Sequence, residues 1–364
     1  MNRYKISVSQ LFFMLFVSRL VLSLTYLVGS NERVMGSDYL FVVAFQIVTN
    51  FLLVIPAFLM MRRYPGQNVI EASQTAWGKG GAVVAVLYGL FFLVECIHSV
   101  GDFGFFASTT MTSNLSSFWF SVLILVAASY AATLGLEALA RTSAILAVVI
   151  FLSVLYVILS VTPAIDPLSM RPFFEAKAGQ FAKGIFQTIS QNPELVFLLM
   201  LVPFAKGKAK KGFVVWNIVT VGSILSIDTI GRLVLGNAYY TTTFPFYTTA
   251  TVTATGMAQR SDALTAAIWA GGAFVKAALM LCLLALALER ITHGKYRKTI
   301  IWSGAALVAI VSPWFSHNLQ DLIDMGMYPI ESGIVLILCA VIPLCLWIAG
   351  RRRTKGGQTT CKNS

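Results

Sequence analysis

Long apolar stretches separated by short polar segments run through almost the whole sequence. A hydrocarbon core roughly 30 Å thick is crossed by about 20 apolar residues in a helix, so each stretch is long enough to span a membrane. We predict ten membrane-spanning helices, over residues 7–28, 39–61, 82–106, 118–135, 141–162, 184–204, 212–236, 263–288, 299–315 and 328–349. The pattern predicts an all-α integral membrane protein, with one transmembrane domain over residues 1–350 and a basic tail over 351–364.

The sixth stretch, residues 184–204, is interrupted near its middle by Gln191, Asn192, Pro193 and Glu194. Proline removes a backbone donor and clashes with the preceding turn, so a helix breaks or kinks here. Glu194 lies about 16 Å from the start of the span at 1.5 Å per residue, close to the membrane centre. One interpretation is a proline kink with Glu194 hydrogen-bonded to a neighbouring helix. A ligand site is favoured, because transporters build binding sites from discontinuous helices at the midplane.

Ten spans with a break in the sixth predict a five-plus-five architecture, in which the two halves are inverted repeats. The repeats are expected at residues 7–162 and 184–349, and each begins with a discontinuous helix. In the first span, the polar pair Ser18 and Arg19 is the interruption that matches this expectation, although no glycine or proline precedes Gly29. We therefore expect the first and the sixth helix to be discontinuous.

The chain is strongly basic, with 27 Lys and Arg residues against 15 Asp and Glu residues and a net charge of +12. Such a balance is typical of nucleic-acid-binding proteins, but the positions of the charges exclude that class. When both termini are placed on one side of the membrane, 19 cationic residues fall on that side and five on the other. Because cytoplasmic loops are enriched in Lys and Arg, we predict that both termini are cytoplasmic. The expected partner is the lipid bilayer, with no nucleic acid.

Composition and motifs argue against an enzyme. The chain is 57% hydrophobic with a mean hydropathy of +0.77, which is typical of a polytopic membrane protein. The five cysteines show no metal-binding spacing, and the sequence contains no phosphate-binding loop or nucleophile–base motif. We expect no catalytic site, no bound metal and no cofactor.

Four charged residues lie inside the predicted spans at nearly the same depth: Arg19, Glu95, Glu194 and Lys276. A charge at the bilayer centre costs about 2.5–3.5 kcal/mol even on the lenient insertion scale, so we expect all four to face a shared interior. Their charges sum to zero, as expected for groups that compensate one another. Together with Asn192 they suit a small zwitterion such as an amino acid. Inorganic ions and an internal salt-bridge network remain alternatives.

Polar residues follow one face of the third span. Tyr88, Glu95, His98 and Asp102 follow one another at intervals of seven, three and four residues, which is the spacing of one helical face. An unperturbed histidine titrates near neutral pH, so His98 and Asp102 are candidates for a proton or ion path. In the alternative interpretation, His98 is a structural hydrogen-bond partner of the two carboxylates.

In the seventh span, Asp228 and Arg232 are four residues apart. Opposite charges at this spacing lie next to each other on a helix and form a local ion pair. We predict such a pair here, with a structural role.

Several short motifs are distributed over nearly the whole chain, to about residue 350. They are KISVSQLF at residues 5–12, PFFE at 172–175, Pro193-Glu194, RSDAL at 260–264, Ile268-Trp269 and FVK at 274–276. In these motifs the chain resembles the B-subunit (germination permease) family of bacterial spore germination receptors, in the amino acid–polyamine–organocation superfamily.

The resemblance implies a ten-span fold with the inverted repeat and a nutrient-sensing receptor subunit in the spore inner membrane. It also implies partner A and C subunits, the latter a lipoprotein, and germinants that are commonly amino acids. The superfamily's ligand site lies among spans one, three, six and eight, which carry Arg19, Glu95, Glu194 and Lys276 here. Relatives usually have a glycine-rich unwound segment in the first span, where this chain has Ser18-Arg19.

Three functional hypotheses follow from the sequence. The first is a receptor subunit in which a nutrient shifts a conformational equilibrium. The second is a proton-coupled amino acid transporter, and the third is a membrane scaffold whose polar interior only stabilises the fold. The predicted ligand-binding residues are Arg19, Glu95, Asn192, Glu194 and Lys276, and the predicted proton or ion path is His98 and Asp102.

Overall fold

A computed structural model of the protein describes residues 6–25, 27–111, 115–252, 261–292, 294–324 and 327–350. Lys5 of the first motif, Arg260 of the RSDAL motif and the predicted basic tail 351–364 lie outside the described residues. Within the described ranges the chain is almost entirely helical, as the apolar pattern predicts.

The helices follow one another with short connections. They are α1 Val8–Leu24, α2 Ser30–Met35, α3 Tyr39–Arg63, α4 Val69–Trp77, α5 Gly81–Thr110, α6 Ser117–Leu134, α7 Leu136–Ser160, α8 Ala178–Gln187, α9 Glu194–Leu201, α10 Ala209–Leu235, α11 Pro245–Thr251, α12 Ser261–Glu289, α13 Arg297–His317, α14 Leu319–Asp324 and α15 Met327–Leu336. The last helix continues through a π-helical segment, Ile337–Val341, to residue 350. Two short strands, β1 Ile6–Ser7 and β2 Ala205–Lys206, precede α1 and follow α9.

Among the described residues, eight helical segments are long and apolar enough to cross a membrane. Shorter apolar helices occur at Val8–Ser23 and Glu194–Phe204, within the first and the sixth predicted span. These are the two spans expected to be discontinuous, and a broken span is necessarily made of shorter pieces. The ten predicted crossings are therefore accounted for, and the fold class is confirmed.

The first crossing is interrupted beyond the polar pair and not at it. α1 continues without a break through Ser18 and Arg19 and ends at Leu24. Residues 27–29 are not helical. Serine and arginine keep their backbone N–H groups and fit a helix, whereas Gly29 is a poor helix former. The position expected for the first break is thus corrected from Ser18-Arg19 to the segment before α2.

The sixth crossing breaks where the sequence predicts. α8 ends at Gln187 and α9 starts at Glu194, directly after Pro193. Between them, residues 188–193 form a series of turns, which we call the sixth-crossing link. One of these turns is closed by the Asn192 N–H, which donates to the Ile189 carbonyl at 3.1 Å. The proline supplies no N–H for a continuous helix, so the break follows from local chemistry.

The two ends of the helix bundle are held by different contacts. At one end, β1 and β2 form a parallel pair that places Ile6 next to Ala205. At the other end, the carboxylate of Asp38 accepts three backbone N–H groups of residues 174–176 at 2.6–2.8 Å. We refer to these as the β1 end and the Asp38 end.

Helices α1, α9 and α12 form the inner layer of the bundle. Every residue of α9 is buried, and α12 has the largest buried share of the long apolar helices described. α1 packs on α12 at Gly272, where an added Cβ would lie 1.8 Å from Cγ2 of Val21. Only glycine permits this close approach of α1 and α12.

Candidate functional site

A cavity lies where α1, α5, α10 and the sixth-crossing link meet, towards the Asp38 end. Its volume is about 70 Å³, counted as the space open to the centre of a water molecule. One water needs roughly 10–15 Å³ by this measure, so the cavity has room for several waters or a small ligand. Its polar lining consists of Arg19, Ser23, Thr25, Tyr39, Glu95, His98, Asp102, Ser190, Gln191, Asp228, Tyr328 and Glu331.

The structure divides the seven predicted site residues into two groups. Arg19, Glu95, His98 and Asp102 line the cavity. The other three, Asn192, Glu194 and Lys276, are buried but do not line it. The role of each as a ligand or ion-path residue stays a prediction, but the geometry shows which groups a bound molecule would meet first.

Arg19 connects the first crossing to the break in the sixth. Its side chain is only 2% exposed, so its charge is held almost entirely by protein groups. The guanidinium donates to Ser23 Oγ at 3.1 Å. It also lies 3.4–3.5 Å from side-chain amide oxygens of Asn192, Gln191 and Gln46. Two of these amides belong to the sixth-crossing link, so a ligand that draws on Arg19 would act on the link directly.

Four carboxylates line the same cavity: Glu95, Asp102, Asp228 and Glu331. His98 lies among them, with Nδ1 at 2.9 Å from Glu331 Oε1. Three residues of the polar face predicted for the third span therefore line one cavity, whereas the fourth, Tyr88, does not line it and donates to the Leu338 carbonyl at 2.6 Å. The direct partner of the histidine comes from α15, however, and not from the two carboxylates on its own helix.

Glu331 and Asp228 were not predicted as cavity residues. Glu331 lies close to the start of the tenth predicted span, and an acidic residue at the end of a membrane helix is usually exposed to water. Asp228 was assigned to a local ion pair. The signal that would have found both is the same as for Glu95: a carboxylate inside an apolar span is costly unless it faces a polar interior.

Glu194 is fully buried at the first turn of α9. The hydroxyl of Ser18 donates to its Oε1 at 2.8 Å, and its Oε2 has no hydrogen-bond partner among the described residues. A carboxylate at a helix N-terminus is stabilised by the helix dipole, which favours this position. Glu194 thus joins α9 to α1 one residue away from Arg19, as in the interpretation of a broken helix whose carboxylate is hydrogen-bonded to a neighbouring helix, and its role in ligand binding stays a prediction.

Asn192 is the centre of a buried amide network. Its Oδ1 lies 3.4 Å from both Arg19 Nε and Asn50 Nδ2, and its own Nδ2 donates to the Thr188 carbonyl at 2.8 Å. Asn50 also donates to Asn217 Oδ1 at 2.9 Å. The network fixes the link to α3 and α10, so Asn192 positions the wall of the cavity.

Lys276 is fully buried on α12, and its Nζ has no hydrogen-bond partner among the residues that the structure describes. It interacts electrostatically with Glu95 and Asp102. A buried ammonium is costly unless nearby anions compensate it. Lys276 therefore offsets part of the negative charge around the cavity, as the sequence predicted for a compensating cation.

The predicted side-chain ion pair between Asp228 and Arg232 is not formed. Arg232 pairs with Glu32 of α2 instead, and both of these side chains are buried. Its contact with Asp228 is to the backbone carbonyl, at 3.2 Å. The Asp228 carboxylate accepts a hydrogen bond from the Tyr239 hydroxyl at 3.4 Å and is left facing the cavity. A carboxylate from another helix satisfies the arginine, which the local spacing could not indicate.

The charges of the cavity favour a ligand that carries a cationic group. The lining holds four carboxylates, one guanidinium and one imidazole, so its formal charge is negative whether or not His98 is protonated. Arg19 is the lining group suited to a carboxylate. No group of His, Cys, Asp and Glu side chains suited to a metal ion occurs in the described part of the chain.

The chain is similar to one protein family and, in its fold, to a solved transporter-like structure. A family model described as spore germination protein matches residues 5–319. The solved structure of MhsT in complex with L-phenylalanine is similar to this chain with a TM-score of 0.66, over 92% of this chain and 87% of that chain. The two sequences are 13% identical, so the similarity shows a shared fold. Among curated proteins, none matches the sequence.

Proposed function

This chain belongs to the spore germination proteins of permease type, and on that premise we propose that it is a receptor subunit that senses a small nutrient in the central cavity. The nutrient class is an amino acid. The family and the apolar helices make the chain an integral membrane protein with a transporter-like fold. The amino acid ligand, its site in the central cavity and the conformational response to its binding are what we propose beyond the family and the fold.

One observation carries the proposal: a buried guanidinium and several carboxylates line one small cavity beside a broken helix. An amino acid has a carboxylate for Arg19 and an ammonium for the acidic residues around His98. A zwitterion therefore offers a group of opposite charge to each side of the cavity. The bound L-phenylalanine of MhsT is an amino acid, which supports the same ligand class.

Sensing follows from the contacts that Arg19 makes beside the cavity. Its guanidinium contacts the amide oxygens of Gln191 and Asn192 in the sixth-crossing link. A ligand carboxylate competes for that guanidinium and weakens these contacts. Binding can shift a conformational equilibrium only through such a difference between states. We propose that A and C receptor subunits report the shift, in the spore inner membrane, with both termini on the spore-core side.

A second candidate function is proton-coupled amino acid transport. It is favoured by the contact of His98 Nδ1 with Glu331 Oε1 at 2.9 Å, which lies in one cavity with Glu95 and Asp102. A cluster of titratable groups inside a membrane is typical of proton relays. Transport differs from sensing in one measurable respect: a transporter moves labelled amino acid across the membrane without partner subunits.

The test begins with ligand binding to the purified full-length protein, measured as thermal stabilisation by a panel of amino acids. We expect a stabilising amino acid for the natural protein and no stabilisation of Arg19→Gln. Arg33→Gln is the matched control, because Arg33 is an exposed arginine outside the cavity. If no amino acid stabilises the protein, or if Arg19→Gln responds like the control, the proposed site is wrong.

Uptake by proteoliposomes then separates the two functions. A receptor subunit binds its amino acid but does not accumulate it, whereas a transporter accumulates it when a proton gradient is imposed. Spores that carry Arg19→Gln should lose the response to that amino acid while the protein remains present in their membrane. Accumulation by the natural protein would favour the transporter over the receptor.

A further inference from the structure

A long apolar groove lies on the outside of the bundle, near the β1 end, between α1, α7 and α10. Its volume is about 740 Å³. Along α10 it extends from Lys208 to Val219, about 16 Å at 1.5 Å per residue. That length is close to the depth of one leaflet of a hydrocarbon core roughly 30 Å thick. Its apolar lining includes Phe12, Phe16, Phe151, Leu152, Val215 and Trp216.

The end of this groove is basic. Lys206, Lys208 and Lys211 line it with exposed side chains, and none of its lining residues is acidic. Apolar surface facing lipid is ordinary in a membrane protein. A concave groove that ends in three cations differs from such a surface, because it offers an apolar and a cationic contact to the same molecule. Basic clusters next to a transmembrane helix attract anionic headgroups.

We propose that this groove is a binding site for an anionic phospholipid. The phosphate lies against the three lysines, and an acyl chain fills the apolar part. This site is separate from the central cavity and does not depend on the proposed function. It nevertheless borders α1, so a bound lipid packs against the same helix that carries Arg19.

The headgroup is tested with the full-length protein in detergent, titrated with phosphatidylglycerol or phosphatidylcholine of identical acyl chains. Thermal stabilisation gives the apparent affinity. Each lysine near a membrane surface contributes about five-fold, so Lys206→Gln, Lys208→Gln and Lys211→Gln together should weaken phosphatidylglycerol binding on the order of 100-fold. The control changes three lysines outside the groove, Lys79, Lys295 and Lys298, to Gln. An equal loss in the control, or equal binding of the two lipids, overturns the proposal.

The acyl chain is tested by filling the groove. Val215 lines it and is exposed, whereas Ile218 on the same helix is exposed but does not line it. Val215→Trp should abolish selective phosphatidylglycerol binding, and Ile218→Trp should leave it unchanged. If Val215→Trp binds the lipid as before, the groove is not the site. If that variant keeps lipid binding but loses copurification with another receptor subunit, the groove is a protein interface and the proposal is overturned.

Discussion

The hydrogen bond between Ser18 and Glu194 gives the sharpest test of how the buried charge is held. The Ser18 hydroxyl donates to Glu194 Oε1 at 2.8 Å, and both side chains are fully buried. The second carboxylate oxygen has no hydrogen-bond partner among the described residues, so it makes no hydrogen bond that could compensate for the loss of the one from Ser18. Hydrogen bonds to charged groups contribute about 1.5–3 kcal/mol. We therefore expect Ser18→Ala to lower the free energy of unfolding by about 2 kcal/mol, measured by titration of the purified protein with sodium dodecyl sulfate.

The matched control is Ser226→Ala. The Ser226 hydroxyl is exposed and donates to the Gly222 carbonyl of its own helix, so its removal should change the free energy of unfolding by less than about 0.5 kcal/mol. Adding Glu194→Gln to Ser18→Ala should recover part of the loss, because a neutral amide costs less to bury than a carboxylate. If Ser18→Ala costs no more than the control, Ser18 does not stabilise a buried carboxylate and the reasoning is refuted.

Three further predictions concern other buried contacts, each measured as a free energy of unfolding in the same titration. Asp38→Ala removes the acceptor of three backbone N–H groups before α8 and should cost about 3 kcal/mol, with faster hydrogen exchange of those amides; unchanged exchange would contradict it. Gly272→Ala forces a Cβ into α1 and should cost about 1–3 kcal/mol, whereas Gly222→Ala, with no atom within 4 Å, should cost almost nothing. Lys276→Met removes a buried cation that attracts Glu95, so it should cost about 0.5–3 kcal/mol more in the natural protein than in the Glu95→Gln background; equal effects in the two backgrounds would mean that the two charges are not coupled.

The break in the sixth crossing was predictable because its cause is local. Pro193 lacks the N–H that a continuous helix uses, and its effect does not depend on the rest of the fold. The first crossing has no such residue near its polar pair. Ser18 and Arg19 are accommodated in a regular helix since their side chains find partners across the bundle. The polarity of Ser18 and Arg19 therefore did not locate the break in the first crossing.

The composition of the cavity was predictable only in part. Helical spacing placed Glu95, His98 and Asp102 on one face, because that spacing is a property of one element. The ion pair of His98 with Glu331 joins residues 233 positions apart, and no local pattern selects it. Asp228 faces the cavity because Glu32 pairs with the neighbouring arginine. Such exchanges of partners are decided by packing between helices.

The parallel strand pair has a mechanical consequence for the whole bundle. It fastens the residues just before α1 to those just after α9. The contacts of Arg19 fasten the same two crossings again, twelve residues further along α1 than Ser7, or about 18 Å away. Two ties at different heights therefore hold α1 and α9 together. If a ligand carboxylate takes over the guanidinium of Arg19, as we propose, only the tie at Arg19 is released, and the strand pair still holds the two crossings at the β1 end.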